Sequence, residues 1–230
     1  MEWRKANKSA WGLGLALFLA AAGGSGSARA DGRKDLMQAA ADLRARRYAA
    51  AAALLEGVVR AHPASLEAQY YLGQALYYQG RLDAARARFE GLSAAAPDVP
   101  VTYYYLGRIA YDRGDDPGAM AQLLRAERLD PELGMVHYYL GLALQREGRS
   151  GEALGQLRAA RKLQPAFWQA GFAEAYVLFH AFGRRADALA VLRTLPRTRD
   201  TGRRRELAAL RRAIAAADRR ARKAASKPGF

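Results

Sequence analysis

Between Gln69 and Pro165 one short phrase is written three times at a fixed spacing of 34 residues: Tyr70-Tyr71-Leu72-Gly73, Tyr104-Tyr105-Leu106-Gly107 and Tyr138-Tyr139-Leu140-Gly141. Behind each phrase the same punctuation returns in register: Gly80, Gly114 and Gly148, then Ala85, Ala119 and Ala153, then Phe89, Leu123 and Leu157, then Pro97, Pro131 and Pro165. Apolar groups around the first glycine keep a helical spacing, as in Leu72, Ala75 and Leu76 or Leu106, Ile109 and Ala110. Gly80, Gly114 and Gly148 fall where the chain must reverse between two antiparallel helices, a place for a left-handed residue. A second helix is predicted to start near Leu82, Asp116 and Ser150, with Asp116 and Ser150 as N-caps and Pro117 in the first turn. Gly73 and Ala85 predict close helix approach within a hairpin, and a larger residue at Ala119 or Ala153 should overpack it. One hairpin buries one face, so its neighbours in a stack must cover the other.

This period and these Leu-Gly, Ala, Phe and Pro positions resemble the tetratricopeptide repeat. The resemblance implies an all-α, right-handed α-solenoid of tetratricopeptide helix hairpins, with repeats at residues 66–99, 100–133 and 134–167. Counting back from Pro63 reaches a divergent first repeat, residues 31–65. There Tyr48 and Ala51 stand for Leu82 and Ala85, Leu55 stands for Phe89, and Asp42 occupies a position that is apolar later. A degenerate repeat, residues 168–196, carries Phe172, Tyr176 and Phe179, a turn at Gly183, then Ala188 and Leu192, and ends at Pro196. Its register is one residue late, with Tyr176 where glycine stood. Residues 197–230 read as a basic capping helix and a disordered tail. The helix carries an apolar stripe at Leu207, Leu210, Ile214 and Ala217.

Residues 1–30 are a different kind of sequence. Arg4, Lys5 and Lys8 precede an apolar run, residues 11–22, and Ala28-Arg29-Ala30 offers a cleavage site before Asp31. That layout predicts a secretory signal peptide, hence an exported, periplasmic protein; the alternative is an uncleaved N-terminal membrane anchor. The run is short for a span, which needs about 20 residues. With no cysteine in the chain, a disulfide scaffold and a thiolate metal site are excluded. Net charge is +15, and residues 197–227 hold twelve basic and three acidic side chains, a local +9. Arg203, Arg204, Arg205, Arg211, Arg212, Arg219 and Arg220 would form a stripe able to meet an anionic membrane surface or another polyanion. Equally, they are a solvated face. Export disfavours a nucleic-acid partner.

In the family that the chain resembles, first helices line a concave groove that receives a peptide or partner helix. Carried over, the resemblance points to Tyr70, Gln74, Tyr77 and Tyr78, then Tyr104, Arg108, Tyr111 and Asp112, then Tyr138, Leu142, Gln145 and Arg146. Ten of the twelve tyrosines lie between Tyr70 and Tyr139, so this groove should be aromatic. The same tyrosines would also fill the gap between repeats, Tyr103 above all. The lysine and asparagine clamp by which some family members hold a carboxylate is absent, its places taken by tyrosine, glutamine, arginine and leucine.

Catalysis needs converging polar groups, and the sequence offers few. His62, His137 and His180 have no partner at metal-ligand spacing, and the glycines from Gly148 to Gly155 lack the strand that a phosphate loop requires. Asp112, Asp115 and Asp116 are explained by capping. The reading is a non-enzymatic, cofactor-free interaction scaffold of the bacterial cell envelope that binds a protein or peptide. The alternative is an accessory protein of envelope glycan or polysaccharide export.

Overall fold

The structure, a computed structural model, describes residues 26–225. The leader predicted at residues 1–30 lies outside the described residues up to residue 25, as does the tail after residue 225. The described residues form eleven helices and no strand: α1 (Gly26–Arg44), α2 (Tyr48–Ala61), α3 (Leu66–Tyr78), α4 (Leu82–Ala95), α5 (Pro100–Asp112), α6 (Asp116–Leu129), α7 (Gly134–Arg146), α8 (Ser150–Leu163), α9 (Trp168–His180), α10 (Arg185–Thr194) and α11 (Thr201–Ala225). Two compact units divide them. The first holds the hairpins α1/α2 and α3/α4, the second holds α5/α6, α7/α8 and α9/α10 with α11 after them. No described helix is long and apolar enough to cross a membrane.

Four of the five described hairpins reverse through the same backbone device. Gly80, Gly114 and Gly148 have φ of 77°, 79° and 74°, the left-handed region. The next residue's N–H returns to the carbonyl five positions back, Arg81 to Leu76 at 3.0 Å, Asp115 to Ala110 at 3.0 Å and Arg149 to Leu144 at 2.9 Å. This is a Schellman C-cap, which satisfies carbonyls that the helix end leaves open. In the first hairpin the left-handed residue is Arg46, at φ 59°, with Arg47 N–H donating to the Asp42 carbonyl at 2.8 Å. A side chain meets a steric penalty there that glycine avoids. Arg46→Gly should therefore stabilise the protein by about 0.5–1 kcal/mol, whereas Arg46→Ala should gain nothing; urea midpoints of the two variants would decide.

The α9/α10 turn is longer by one residue. Gly183, at φ 63°, still supplies the left-handed step, but the Arg184 N–H reaches back six positions to Leu178, at 2.9 Å. The register change predicted for this repeat therefore falls after α9, which starts 34 residues beyond α7. The residue in the glycine position is Ala175, fully buried, and Tyr176 stands exposed beside it, which corrects the expectation for Tyr176. The capping expectation is also corrected. Asp115 caps α6, accepting from the Gly118 N–H at 2.9 Å, while Asp116 is turned to Arg146. Arg149, at the N-cap of α8, makes no side-chain cap bond, and Ser150 is already inside the helix.

The small residues sit where the helices of a hairpin meet. A methyl group built onto Gly73 would lie 2.8 Å from Phe89 Cζ, onto Gly107 2.6 Å from Leu123 Cγ, and onto Gly141 2.7 Å from Leu157 Cγ. Ala51, Ala85, Ala119, Ala153 and Ala188 are sealed from solvent, as are Leu55, Phe89, Leu123, Leu157 and Leu192. Asp42 is buried too. It accepts from Gln38 Nε2 at 3.1 Å and Arg47 Nε at 2.9 Å, so a carboxylate in a position apolar elsewhere is met by donors. Along α11, Leu207, Leu210 and Ile214 enter one core with Leu157, Ala175, Leu178 and Leu192.

Candidate binding groove

The second unit places the first helices α5, α7 and α9 side by side, with contacts from α5 to α7 and from α7 to α9. Between α5 and α7 the face is closed by a lattice of tyrosines and arginines. Arg108 Nη1 donates to the Tyr104 hydroxyl at 3.1 Å, and its guanidinium lies 5.2 Å from the centre of the Tyr139 ring. Tyr139 meets Tyr104 at 5.9 Å and Tyr111 at 5.6 Å, ring edge to ring face. Arg146 covers the Tyr111 ring at 3.5 Å and donates to the Tyr111 carbonyl and to Asp116, both at 3.0 Å. Most of the predicted tyrosine groove is thus used as mortar between hairpins.

Between α7 and α9 the face opens. A cavity of about 260 Å³ is lined by Tyr138, Leu142 and Gln145 of α7, by Trp168, Gln169, Phe172, Ala173 and Tyr176 of α9, and by Glu206 of α11. Tyr138 forms one wall, braced against Phe167 at 4.9 Å and Tyr139 at 5.2 Å. Burial pushes its phenol well above the ordinary tyrosine range, with Tyr139 and Tyr111 adding to the shift, so it is a neutral donor at any physiological pH. Burial also raises Tyr111, against the opposing charge of Arg146. Trp168 and Phe172 cross edge to face at 5.8 Å, and the Arg203 guanidinium lies 4.8 Å from the Trp168 ring centre. The result is an aromatic recess with two amides and one carboxylate in its lining, suited to an apolar or aromatic group that carries a polar neighbour.

The predicted site residues fall into three groups. Tyr138, Leu142 and Gln145 line the recess. Arg108, Tyr111 and Arg146 are engaged with neighbouring rings and carbonyls, Tyr104 is only 2 % exposed, and Asp112 is exposed at the end of α5. In the first unit Tyr77 is buried, Tyr78 stacks on Tyr48 at 4.9 Å, and the Tyr70 hydroxyl accepts from the Gln74 amide. Trp168, Phe172 and Tyr176 are additions. Phe172 and Tyr176 follow Tyr138 and Leu142 by 34 residues, so continuing the same positions one repeat further would have found them. Among the basic residues, Arg203 Nη2 donates to the Pro196 carbonyl at 2.7 Å and Arg211 Nη2 to the Leu192 carbonyl at 2.9 Å, so both are turned inward. Arg204, Arg205, Arg212, Arg219 and Arg220 stay exposed.

His137 is buried, with Nδ1 2.6 Å from Gln156 Oε1 and Nε2 2.7 Å from the Pro131 carbonyl, a packing role that ties α7 to α8 and to the turn before it. Among the described residues no three His, Cys, Asp or Glu side chains gather as a metal ion would require.

Stacked helix hairpins seated on small residues, with a recess on the first-helix face, define a helical-repeat interaction scaffold. Tetratricopeptide repeat models match residues 42–106 and 138–203, and a TPR repeat model matches residues 107–148; the chain belongs to the tetratricopeptide repeat family. A thermophilic TPR protein of Thermus thermophilus, TTC0263, superposes with a TM-score of 0.67 at 23% identity, over 78% of this chain and 98% of that one. MamA AMB-1 is similar at 26% identity and a TM-score of 0.55, over 71% and 88% of the two chains. The TPR protein YrrB is similar at 21% identity and 0.53, over 70% and 82%. Among curated proteins nothing matches the sequence.

Proposed function

We propose that this protein is a non-enzymatic scaffold of the bacterial cell envelope that holds a partner segment by seating one apolar or aromatic side chain between α7 and α9. One observation carries the reading: the 260 Å³ recess is walled by Tyr138, Leu142, Trp168, Phe172 and Tyr176. Such side chains give large contact area at small entropic cost. YrrB, described as a TPR protein with an unusual peptide-binding site, supplies a precedent in the same fold. The envelope location rests on the leader-like residues 1–30, and N-terminal sequencing of protein recovered from the envelope should begin at Asp31.

Peptides selected from a random library on the full chain should lose about tenfold to a hundredfold in affinity against Phe172→Ala. Leu142→Arg should abolish binding. Selected peptides that bind both variants like wild type would place recognition elsewhere.

A glycan reading is favoured by one feature, the side-chain amides of Gln145 and Gln169 and the carboxylate of Glu206 around aromatic walls. Sugar rings need such partners for hydroxyl groups together with a flat apolar face. Titration with envelope glycan fragments should then change tryptophan fluorescence to saturation, and the Phe172→Ala variant should lose that change.

A further inference from the structure

The solvent-facing side of α11 is not used by the recess, and its chemistry is of a different kind. Arg205, Arg212 and Arg219 recur every seven residues, close to two helical turns, so they fall in one row. That row lies opposite Leu207, Leu210 and Ile214, the residues by which α11 is fixed to the core. It extends about 21 Å, at about 1.5 Å per residue. Ala208, Ala209, Ala215 and Ala216 fill the positions between, leaving the guanidinium groups unobstructed. The two acidic residues of the helix are engaged elsewhere. Glu206 lines the recess, and Asp218 lies 3.9 Å from Arg185 and 3.7 Å from Arg222. Among the described residues no carboxylate lies within ion-pair distance of Arg205, Arg212 or Arg219.

We infer that this row is a docking face for the surface of an anionic phospholipid bilayer. Beyond Gly202 its exposed residues are basic, alanine or the acids already placed, so the row offers positive charge and no apolar pocket for a side chain. Recognition by charge alone suits a repeating array of like anions, and the phosphates of an anionic headgroup surface are such an array. Because the apolar face of α11 is buried, the helix cannot insert; it lies on headgroups and binds peripherally. Residues 1–30, read as a leader or an anchor, bring the chain to a membrane in either case.

Full-length protein should bind vesicles of phosphatidylglycerol and phosphatidylcholine, and this binding should weaken as salt is raised. Vesicles of phosphatidylcholine alone report any insertion by residues 11–22 and set the baseline. Arg205→Gln/Arg212→Gln/Arg219→Gln should bind the anionic vesicles on the order of a hundredfold more weakly. The same positions changed to lysine should keep most of the affinity, and Arg128→Gln/Lys162→Gln/Arg193→Gln, equal in charge, should bind nearly as wild type. The inference is overturned if neutral vesicles bind as well as anionic ones, if the row variant binds undiminished, or if the lysine or control variant loses as much. Tighter binding to duplex DNA than to anionic vesicles at the same salt would also overturn it.

Discussion

Replacing Arg158 and Arg161 together with alanine should remove about 3–5 kcal/mol of stability, the cost of leaving a buried carboxylate without partners. The carboxylate is Glu174, on α9 and only 2 % exposed. Arg158 Nε, from α8, donates to one oxygen at 3.2 Å, and Arg161 Nε to the other at 2.6 Å. The two arginines are partly open to water, so they can be solvated when Glu174 is neutralised, whereas Glu174 cannot be solvated when they are removed. The asymmetry makes the test specific. Glu174→Gln should cost much less than the double arginine variant, and adding Glu174→Leu to that variant should recover most of the loss. Urea unfolding followed by circular dichroism would measure all three; equal losses for Glu174→Gln and the double variant would refute the account.

Gly107→Val should cost about 3 kcal/mol, at the upper end of what overpacking a helix contact does. Its first added carbon meets Leu123 Cγ at 2.6 Å and the Ala119 carbonyl oxygen at 3.1 Å, and Leu123 has no solvent to retreat into. Two further methyl groups aggravate the clash. The control is another helical glycine of the same unit: Gly155, in α8, has nothing within 4 Å of an added methyl. Gly155→Ala should instead stabilise by about 0.5–1 kcal/mol through helix propensity. Opposite signs for the two positions would tie the effect to hairpin contact; a loss at both would point to glycine itself.

Features set by local chemistry were legible in the sequence. Gly80, Gly114 and Gly148 announce a left-handed reversal because few other residues adopt it cheaply, and Gly73, Gly107 and Gly141 announce close approach because nothing larger fits. Arg46 escaped notice for the complementary reason: a residue that tolerates the conformation at a cost leaves no compositional mark. The extra residue between Ala181 and Arg184 was visible as a slip, but not its side of the helix, since Ala175 and Tyr176 are both permitted by spacing and only packing chooses between them. The recess depended on more distant information. Whether Tyr104, Tyr111 and Tyr139 face a partner or one another is decided by Arg108 and Arg146, whose rings and carbonyl acceptors lie on neighbouring helices. Likewise Arg203 and Arg211 are indistinguishable in sequence from Arg204 and Arg212, and only the carbonyls of Pro196 and Leu192 turn them inward.

The way α11 finishes the second unit bears on how copies of the molecule meet. A stack that stopped at a bare hairpin would offer an oily end to the next copy and invite chains of molecules joined end to end. Here Leu207, Leu210 and Ile214 take up that oily end, and the reverse of the helix carries like charges that repel their own kind. Crowded copies should stay apart at this end at low ionic strength.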